Sequence, residues 1–443
     1  VELIYTCYDD VFNLAQLWAQ DEQRNETVCT FVLEILDIPA NCLDDAFVLG
    51  GRIATYGGRG IVQTNVLVDA EAPVDDANTV SVTDGSYQVG FPASGVQFTI
   101  IPSKGGDALN GISTFDLVLI NSHILNIMSF DTPYKIIAAD ANNSRSVTTA
   151  DIAVLRRLIL GIQDTLPGLR SWVFVDSVYV FPNPDNPFTP VYPTSITAIN
   201  PPSDQLWHNF IGVKIGDVND NADVDSLVQQ QADDRKPLPF TLQDRYVETG
   251  EIFNLHLAPQ TDVTACQFTL NYLGLECLGI TPDAGLTAEH AAVFAEKNKI
   301  TVSNDVGGKT GFDLQMRALK NGFLSEKLNI TSDITPAEAW TASGEKLVPQ
   351  LVFRKNEATA SLTAQPTVFS DQTVLSYTLP TETKATLLVY NAAGQLLFQQ
   401  TVSGAAGEHQ FVLNAAMVKH SKGQMTVQLR TLVETLNVKL SIF

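Results

Sequence analysis

The sequence predicts a mostly β chain, built from tandem β-sandwich domains with one small α-helical module between them. Three observations predict it. Long stretches alternate apolar and polar residues, as half-buried strands do, for example GEIFNLHLAPQTDVTACQFTLNYLGLECLGI. Gly and Asp-Gly turns punctuate short β-runs such as TVSVTDGSYQVGF. In one region only, a polar twelve-residue loop, DANNSRSVTTAD, leads into the helix pattern IAVLRRLILG.

The chain has 443 residues, too many for one core, so several domains of ordinary size are expected. A hydrophobic content of 45% supports buried cores, and a formal net charge of -22 argues against nucleic acid as a partner. No apolar run is long enough to span a bilayer as a helix. The chain opens on Val without a signal peptide, so the reading expects a processed product or a piece of a longer protein. Cys7 and Cys29 flank a strand-turn-strand pattern and are a disulfide candidate. Cys266 and Cys277 either bridge a hairpin turning near Tyr272 to Gly274 or remain two buried thiols, and Cys42 is left over.

Residues 1–45 read as the end of a β-domain. DEQRNETVCTFVLEILD resembles the ending of HYR-type immunoglobulin-like repeats, which occur in tandem on bacterial surface proteins. Residues 46–102 form a second short set of strands, and TDGSYQVGFPASGVQFTI resembles the carboxypeptidase-regulatory-like fold, a non-catalytic sandwich.

Residues 103–230 are assigned to the helical module. An internal repeat underlies it: GGDALNGISTFDLVLINSHIL aligns with DANNSRSVTTADIAVLRRLIL. Ile112 matches Val147, Asp116 matches Asp151, and Leu117, Ile120, Ile124 and Leu125 match Ile152, Leu155, Ile159 and Leu160. Such spacing puts one apolar stripe on each helix, and two such stripes are expected to pack together. In the second copy Asp140, Asn142 and Ser144 stand at positions one, three and five of a calcium loop. Ser146 at seven offers a carbonyl, and Asp151 closes position twelve. A doubled loop-helix unit of this spacing resembles a dockerin. The resemblance implies a calcium cofactor and a recognition face at Thr114, Phe115, Thr149 and Ala150. Position six, usually Gly, is Arg145. The first copy keeps only Asp107 and Asp116 in register and reads as degenerate.

The stretch 162–211, rich in Pro, Asn and aromatics, is expected to be an irregular insertion packed through Trp172, Phe174 and Tyr179. After it, IGDVNDNADVD again places Asp217, Asn219, Asn221 and Asp223 at alternating positions, but its twelfth residue is Val228. Two readings stay open: a cation loop completed from elsewhere, or a solvated acidic linker. Residues 237–356 resemble a cohesin-like sandwich through the GEIFNLHL opening and the CQFTLNY strand. Residues 362–443 resemble the type A sorting domain of the type IX secretion system, through the LLVYNAAGQLL hairpin and the GEHQFVL run.

Signatures of catalysis are missing from the sequence. Six histidines form no HExxH, no G-x-S-x-G elbow is present, and Gly307-Gly308-Lys309-Thr310 lacks the first glycine of a phosphate loop and reads as a hairpin turn. Trp18, Trp172, Trp207 and Trp340 are scattered and read as separate core residues rather than a sugar-binding platform. The sequence therefore points to a secreted, cell-surface structural or adhesive module without catalysis. The implied partners are other copies of the chain, other surface proteins and the secretion machinery. Dockerin-like and cohesin-like parts in one chain imply mutual binding, within the chain or head to tail between chains. The alternative is the anchoring and sorting region of a polysaccharide-degrading enzyme.

Overall fold

The computed structural model describes residues 12–20, 26–34 and 47–443, except 73, 92–95, 167, 169–170, 200, 202, 226–233, 355–359, 380–382, 420 and 432–433. Strands account for 47% and helices for 10% of it, with three α-helices, which is the mostly β class the alternation predicts. At the N-terminal end, strands Phe12–Gln20 and Glu26–Glu34 pair antiparallel. Cys7 and Cys42 lie outside the described residues, and so does the expected Cys7–Cys29 bridge.

The first sandwich has two four-stranded sheets. One runs in the order Ser86–Phe91, Phe47–Thr55, Phe210–Lys214, Trp172–Asp176; the other runs Ala77–Val80, Asn65–Ala70, Gln97–Ser103, Ile196–Ile199. The stretch 162–211 is therefore not an irregular insertion in the helical module. It supplies strands to both sheets of the first sandwich, and a further strand begins at its end. The local pattern explains why. In Trp172–Asp176, Trp172 and Phe174 enter the sandwich core, while Val173 and Val175 face the helical core. A strand buried on both faces loses the polar alternation by which strands are recognised.

Three helices follow the first sandwich's Gln97–Ser103 strand: α1 (Thr114–Ile124), α2 (Pro133–Ala139) and α3 (Thr149–Ile159). α1 and α3 begin alike. Ser113 and Thr148 are extended N-caps, and the third helical residue of each, Asp116 and Asp151, accepts the cap's backbone N–H. Their stripes, Leu117 and Ile120 against Ile152, Leu155 and Ile159, form one core with Val213 and Ile215 from the sandwich.

The second sandwich packs a large sheet against a three-stranded one. The large sheet runs Lys236–Gln243, Lys346–Arg354, Glu338–Trp340, Ala265–Tyr272, Lys299–Asn304, Ala291–Phe294; Leu328–Thr331 also pairs with Ala265–Tyr272. The other runs Ile252–Leu257, Phe312–Ala318, Leu275–Pro282. Phe240, Phe268, Leu270, Ile300 and Met316 fill the space between. Cys266 and Cys277 are free thiols, which corrects the bridge considered for them. Their strands follow each other in sequence but belong to opposite sheets, so Cys266 pairs with Asn304 and Cys277 with Met316. Burial pushes the Cys266 thiol up to about 12.

A third sandwich ends the chain. Ser361–Gln365, Gln372–Leu379 and Gly407–Asn414 form one sheet; Val368–Phe369, Thr435–Ile442, Gly423–Arg430, Thr383–Asn391 and Leu396–Gly404 form the other. Leu375, Leu387, Val427 and Leu440 lie in its core.

Candidate metal centre and domain joint

The loop between α2 and α3 folds around two carboxylates. Asp140, 4% exposed, accepts the backbone N–H of Ser144 at 2.8 Å on one oxygen and that of Arg145 at 2.9 Å on the other. Asp151, 0% exposed, accepts Asn142 N at 3.1 Å and Thr148 N at 2.8 Å. The turn requires left-handed backbone at Asn143 and Arg145, with φ of 58° and 63°. Arg145 thus adopts the conformation that glycine would take there, and its side chain is exposed. Burial raises the Asp140 carboxyl above its ordinary range, against the pull of the Arg145 and Ser144 amides, and the charge of Asp151 adds to the rise.

Two buried carboxylates with only neutral donors around them fit a bound cation. Among the described residues, no three His, Cys, Asp or Glu side chains converge on a metal position. The remaining ligands would be the Asn142 and Ser144 side chains and the Ser146 carbonyl. An all-oxygen, mostly neutral set suits calcium rather than zinc.

Loop 217–225 has the same build. Asp217, 2% exposed, accepts Asn221 N at 3.1 Å and Ala222 N at 2.7 Å. It sits where three parts of the chain meet. From the first sandwich, Thr55 Oγ1 and Gly57 N donate to Asp220 at 2.9 and 3.0 Å, and Tyr56 Oη donates to the Val218 carbonyl at 3.2 Å. Arg59 reaches the Ala222 carbonyl at 2.7 Å and pairs with Asp220. From the segment before α1, the Asn110 amide spans both sides of the Asp223 peptide. From α1, Asp116 Oδ1 accepts Val218 N at 3.0 Å. Burial, reinforced by Asp217, holds the Asp116 carboxyl well above its ordinary range, and burial likewise raises Asp217. Lys214, also buried, donates its ammonium to the carbonyls of Ala108 and Ile215. Asp107 does not join Asp116 in a contiguous first loop: it is exposed and caps its own turn through Leu109 N at 2.9 Å.

The helical module rests on the second sandwich. Thr114 donates its backbone N–H and hydroxyl to Gln267 Oε1, at 2.6 and 2.8 Å, and its hydroxyl lies 2.8 Å from Ser303 Oγ. Thr335 and Thr301 donate hydroxyls to the carbonyls of Ile159 and Leu160 at the end of α3, at 2.7 and 2.8 Å. Phe115 stacks on Trp340 with ring centres 5.7 Å apart. Arg156 forms a buried ion pair with Asp305 at 2.8 Å. His290 Nδ1 accepts Thr287 N at 3.0 Å, and Nε2 lies 3.0 Å from the second oxygen of Asp305. The ring and guanidinium together hold the Asp305 carboxyl below its ordinary range against the opposing effect of burial.

Of the expected recognition face, Thr114 and Phe115 therefore meet the chain's own second sandwich. Thr149 and Ala150 are exposed beside it, at a cleft that also includes Asn121, Arg156, Glu289 and Asp305. Sequence reasoning did not single out Gln267, Ser303, Asp305, His290 or Trp340 as partners. Gln267 and Ser303 carry one signal, the polar side of the alternating strands Ala265–Tyr272 and Lys299–Asn304; Asp305, His290 and Trp340 lie outside those two strands. Of the tryptophans, Trp172 and Trp340 are buried, whereas Trp207 is 60% exposed.

No family model matches the sequence. No curated protein matches it. Among solved structures, the major pilin subunit BcpA of Bacillus cereus aligns over 89% of this chain and 95% of its own, with 8% identity and a TM-score of 0.22. The TIE protein of Bacillus anthracis aligns over 98% of this chain and 55% of its own, with 8% identity and a TM-score of 0.20. The BSP domain of a biofilm associated protein covers 56% of this chain and 59% of its own, at 10% identity and a TM-score of 0.16. Likenesses of this strength carry no argument about function.

Proposed function

We propose that the chain is a non-catalytic structural or adhesive module of a secreted, cell-surface protein, with calcium at the Asp140–Asp151 loop stiffening the joint between its sandwiches. The observation that supports this most is the position of that loop. It joins α2 to α3, and α3 carries Arg156 and the carbonyls that bind the second sandwich. A cation that orders the start of α3 would therefore stiffen the docking surface. The dockerin-like and cohesin-like parts meet within the chain, and Thr114 and Phe115 are already engaged there. This favours a compact rod over a head-to-tail polymer built through the same face. The terminal sandwich carries the sequence likeness to a type IX sorting domain, and the proposal assigns it export through that machinery.

Calcium titration read by thermal unfolding tests the reading. A ligand that binds only the native state stabilises it by mass action. For a dissociation constant of about 10⁻⁴ to 10⁻³ M, 10 mM calcium (roughly 10 to 100 times that constant) adds about 1.4 to 2.7 kcal/mol. Chelation should lower the melting temperature, and Asp140→Ala should reduce the calcium response. An unchanged melting temperature in both comparisons sinks the calcium assignment. Light scattering should give a monomer with and without calcium; a calcium-dependent polymer would favour the contact between chains.

A further inference from the structure

Loop 217–225 has Val228 where a calcium loop needs its closing carboxylate. The fold brings one from elsewhere. Asp116, at the start of α1 and 0% exposed, bonds to Val218, which lies 102 residues further along the chain. Its other oxygen accepts Ser113 N at 3.0 Å and Ser113 Oγ at 2.8 Å. Asp151 makes the same set of bonds in its own loop: one oxygen to a loop amide, the other to the N and Oγ1 of the N-cap Thr148.

The opening residues correspond as well. Asp217 accepts the amides of the fifth and sixth loop residues, Asn221 and Ala222. Asp140 accepts those of its fifth and sixth, Ser144 and Arg145. Val224 and Val147 fill position eight, each partly buried against a core. At position three, Asn219 Oδ1 is buried and has no hydrogen-bond partner. A buried acceptor without a donor is costly unless something electropositive meets it.

We infer that Asp217, Asn219, Asn221 and the Asp223 carbonyl, closed by Asp116, form a second hard-cation site assembled from two distant segments. The choice of calcium rests on the reading of the Asp140 loop; the discontinuous ligand set does not. Its consequence is mechanical. The loop continues from the Phe210–Lys214 strand of the first sandwich and is gripped by the Thr55–Arg59 turn. Asp116 stands two residues after Thr114, whose amide and hydroxyl bind Gln267 of the second sandwich. One ion at this point fastens the first sandwich to the helix that docks on the second.

Isothermal calorimetry with calcium alone, on the full chain stripped of metal, tests the inference. Wild type should bind two equivalents. Asp116→Asn and Asn219→Ala should each bind one, as should Asp140→Asn, and Asp116→Asn/Asp140→Asn none. Asp107→Asn should still bind two, because the contiguous first loop is not the site. An unchanged count in both Asp116→Asn and Asn219→Ala overturns the second site. Loss of binding in those two with no loss in Asp140→Asn keeps it and removes the first. Asn219→Ala alters a partly exposed residue, so it remains decisive where Asp116→Asn does not fold. For the fastening, hydrogen exchange at the Thr114 amide in Asp140→Asn should quicken at least tenfold on chelation; no change there refutes the coupling between ion and docking.

Discussion

Replacing Asp305 with Ala isolates the energetics of docking. The perturbation leaves the Arg156 guanidinium, whose side chain is 11% exposed, facing His290 with no anion. The exposed Glu289 lines the same cleft, so the comparison belongs in a Glu289→Gln background, where that carboxylate cannot stand in. Removing one partner of a buried ion pair costs about 3 to 5 kcal/mol, because the remaining charge stays desolvated. Both residues lie at the contact between α3 and the second sandwich, away from the core of either, so the cost should fall on docking. The Thr114 amide reports it directly, since its hydrogen bond goes to Gln267 across that contact. At about 1.4 kcal/mol per factor of ten, its exchange with solvent should quicken by roughly 10² to 10³·⁵. Amides of Phe312–Ala318, inside the second sandwich, should keep their protection. If Thr114 quickens less than tenfold while the variant remains folded, the ion pair is not what holds the module down.

Four further outcomes follow from the same contacts. The Asp305 carboxyl is held below its ordinary value of 3.8, so the stability it contributes is fully present above pH 3.8 and is lost as pH falls beneath that, which acid titration of Thr114 exchange will show. Gln267→Ala removes the shared acceptor of the Thr114 amide and hydroxyl and should cost about 1 to 3 kcal/mol, seen as a lower thermal midpoint. Gly111 has a φ of +73°, and a methyl group there would lie 2.5 Å from the Ala222 Cα; Gly111→Ala should destabilise by at least about 1 kcal/mol and weaken calcium binding at loop 217–225. Cys266, fully buried with its thiol pushed up to about 12, should resist alkylation until the protein unfolds, and mass spectrometry of unreduced protein should find no bridge to Cys277.

Much of the fold is legible because its signals are local. The two helix copies are found from a 3.6-residue stripe and an aspartate in matching register, all within about a dozen residues. The strand Ala265–Tyr272 is readable from its alternation, which sends Cys266, Phe268 and Leu270 to the core. The same alternation predicts water around Gln267 and Thr269, yet both are 0% exposed. Gln267 accepts from Thr114 of α1, and the Thr269 hydroxyl donates to the Thr335 carbonyl; Thr301 on the neighbouring strand and Thr335 donate in turn to the carbonyls of Leu160 and Ile159. A polar face built for docking has the same pattern as one built for water. The strand at Trp172–Asp176 escaped for the converse reason: with a core on either side it alternates between two apolar partners and looks irregular.

The Asp140–Asp151 loop is legible in the sequence alone, because the two carboxylates and the amides they accept all lie within twelve consecutive residues. Sequence alone likewise set the helical repeat, the mostly β class and the absence of familiar catalytic motifs. Tertiary structure decided everything that depends on distant residues meeting. It moved strands from 162–211 into the first sandwich, placed Cys266 and Cys277 on opposite sheets, and turned Thr114 and Phe115 inward onto Gln267 and Trp340. It also carried Asp116 to a loop 102 residues away. Spacing along a chain records geometry only where the chain itself is the tether, and those contacts are held by packing between domains.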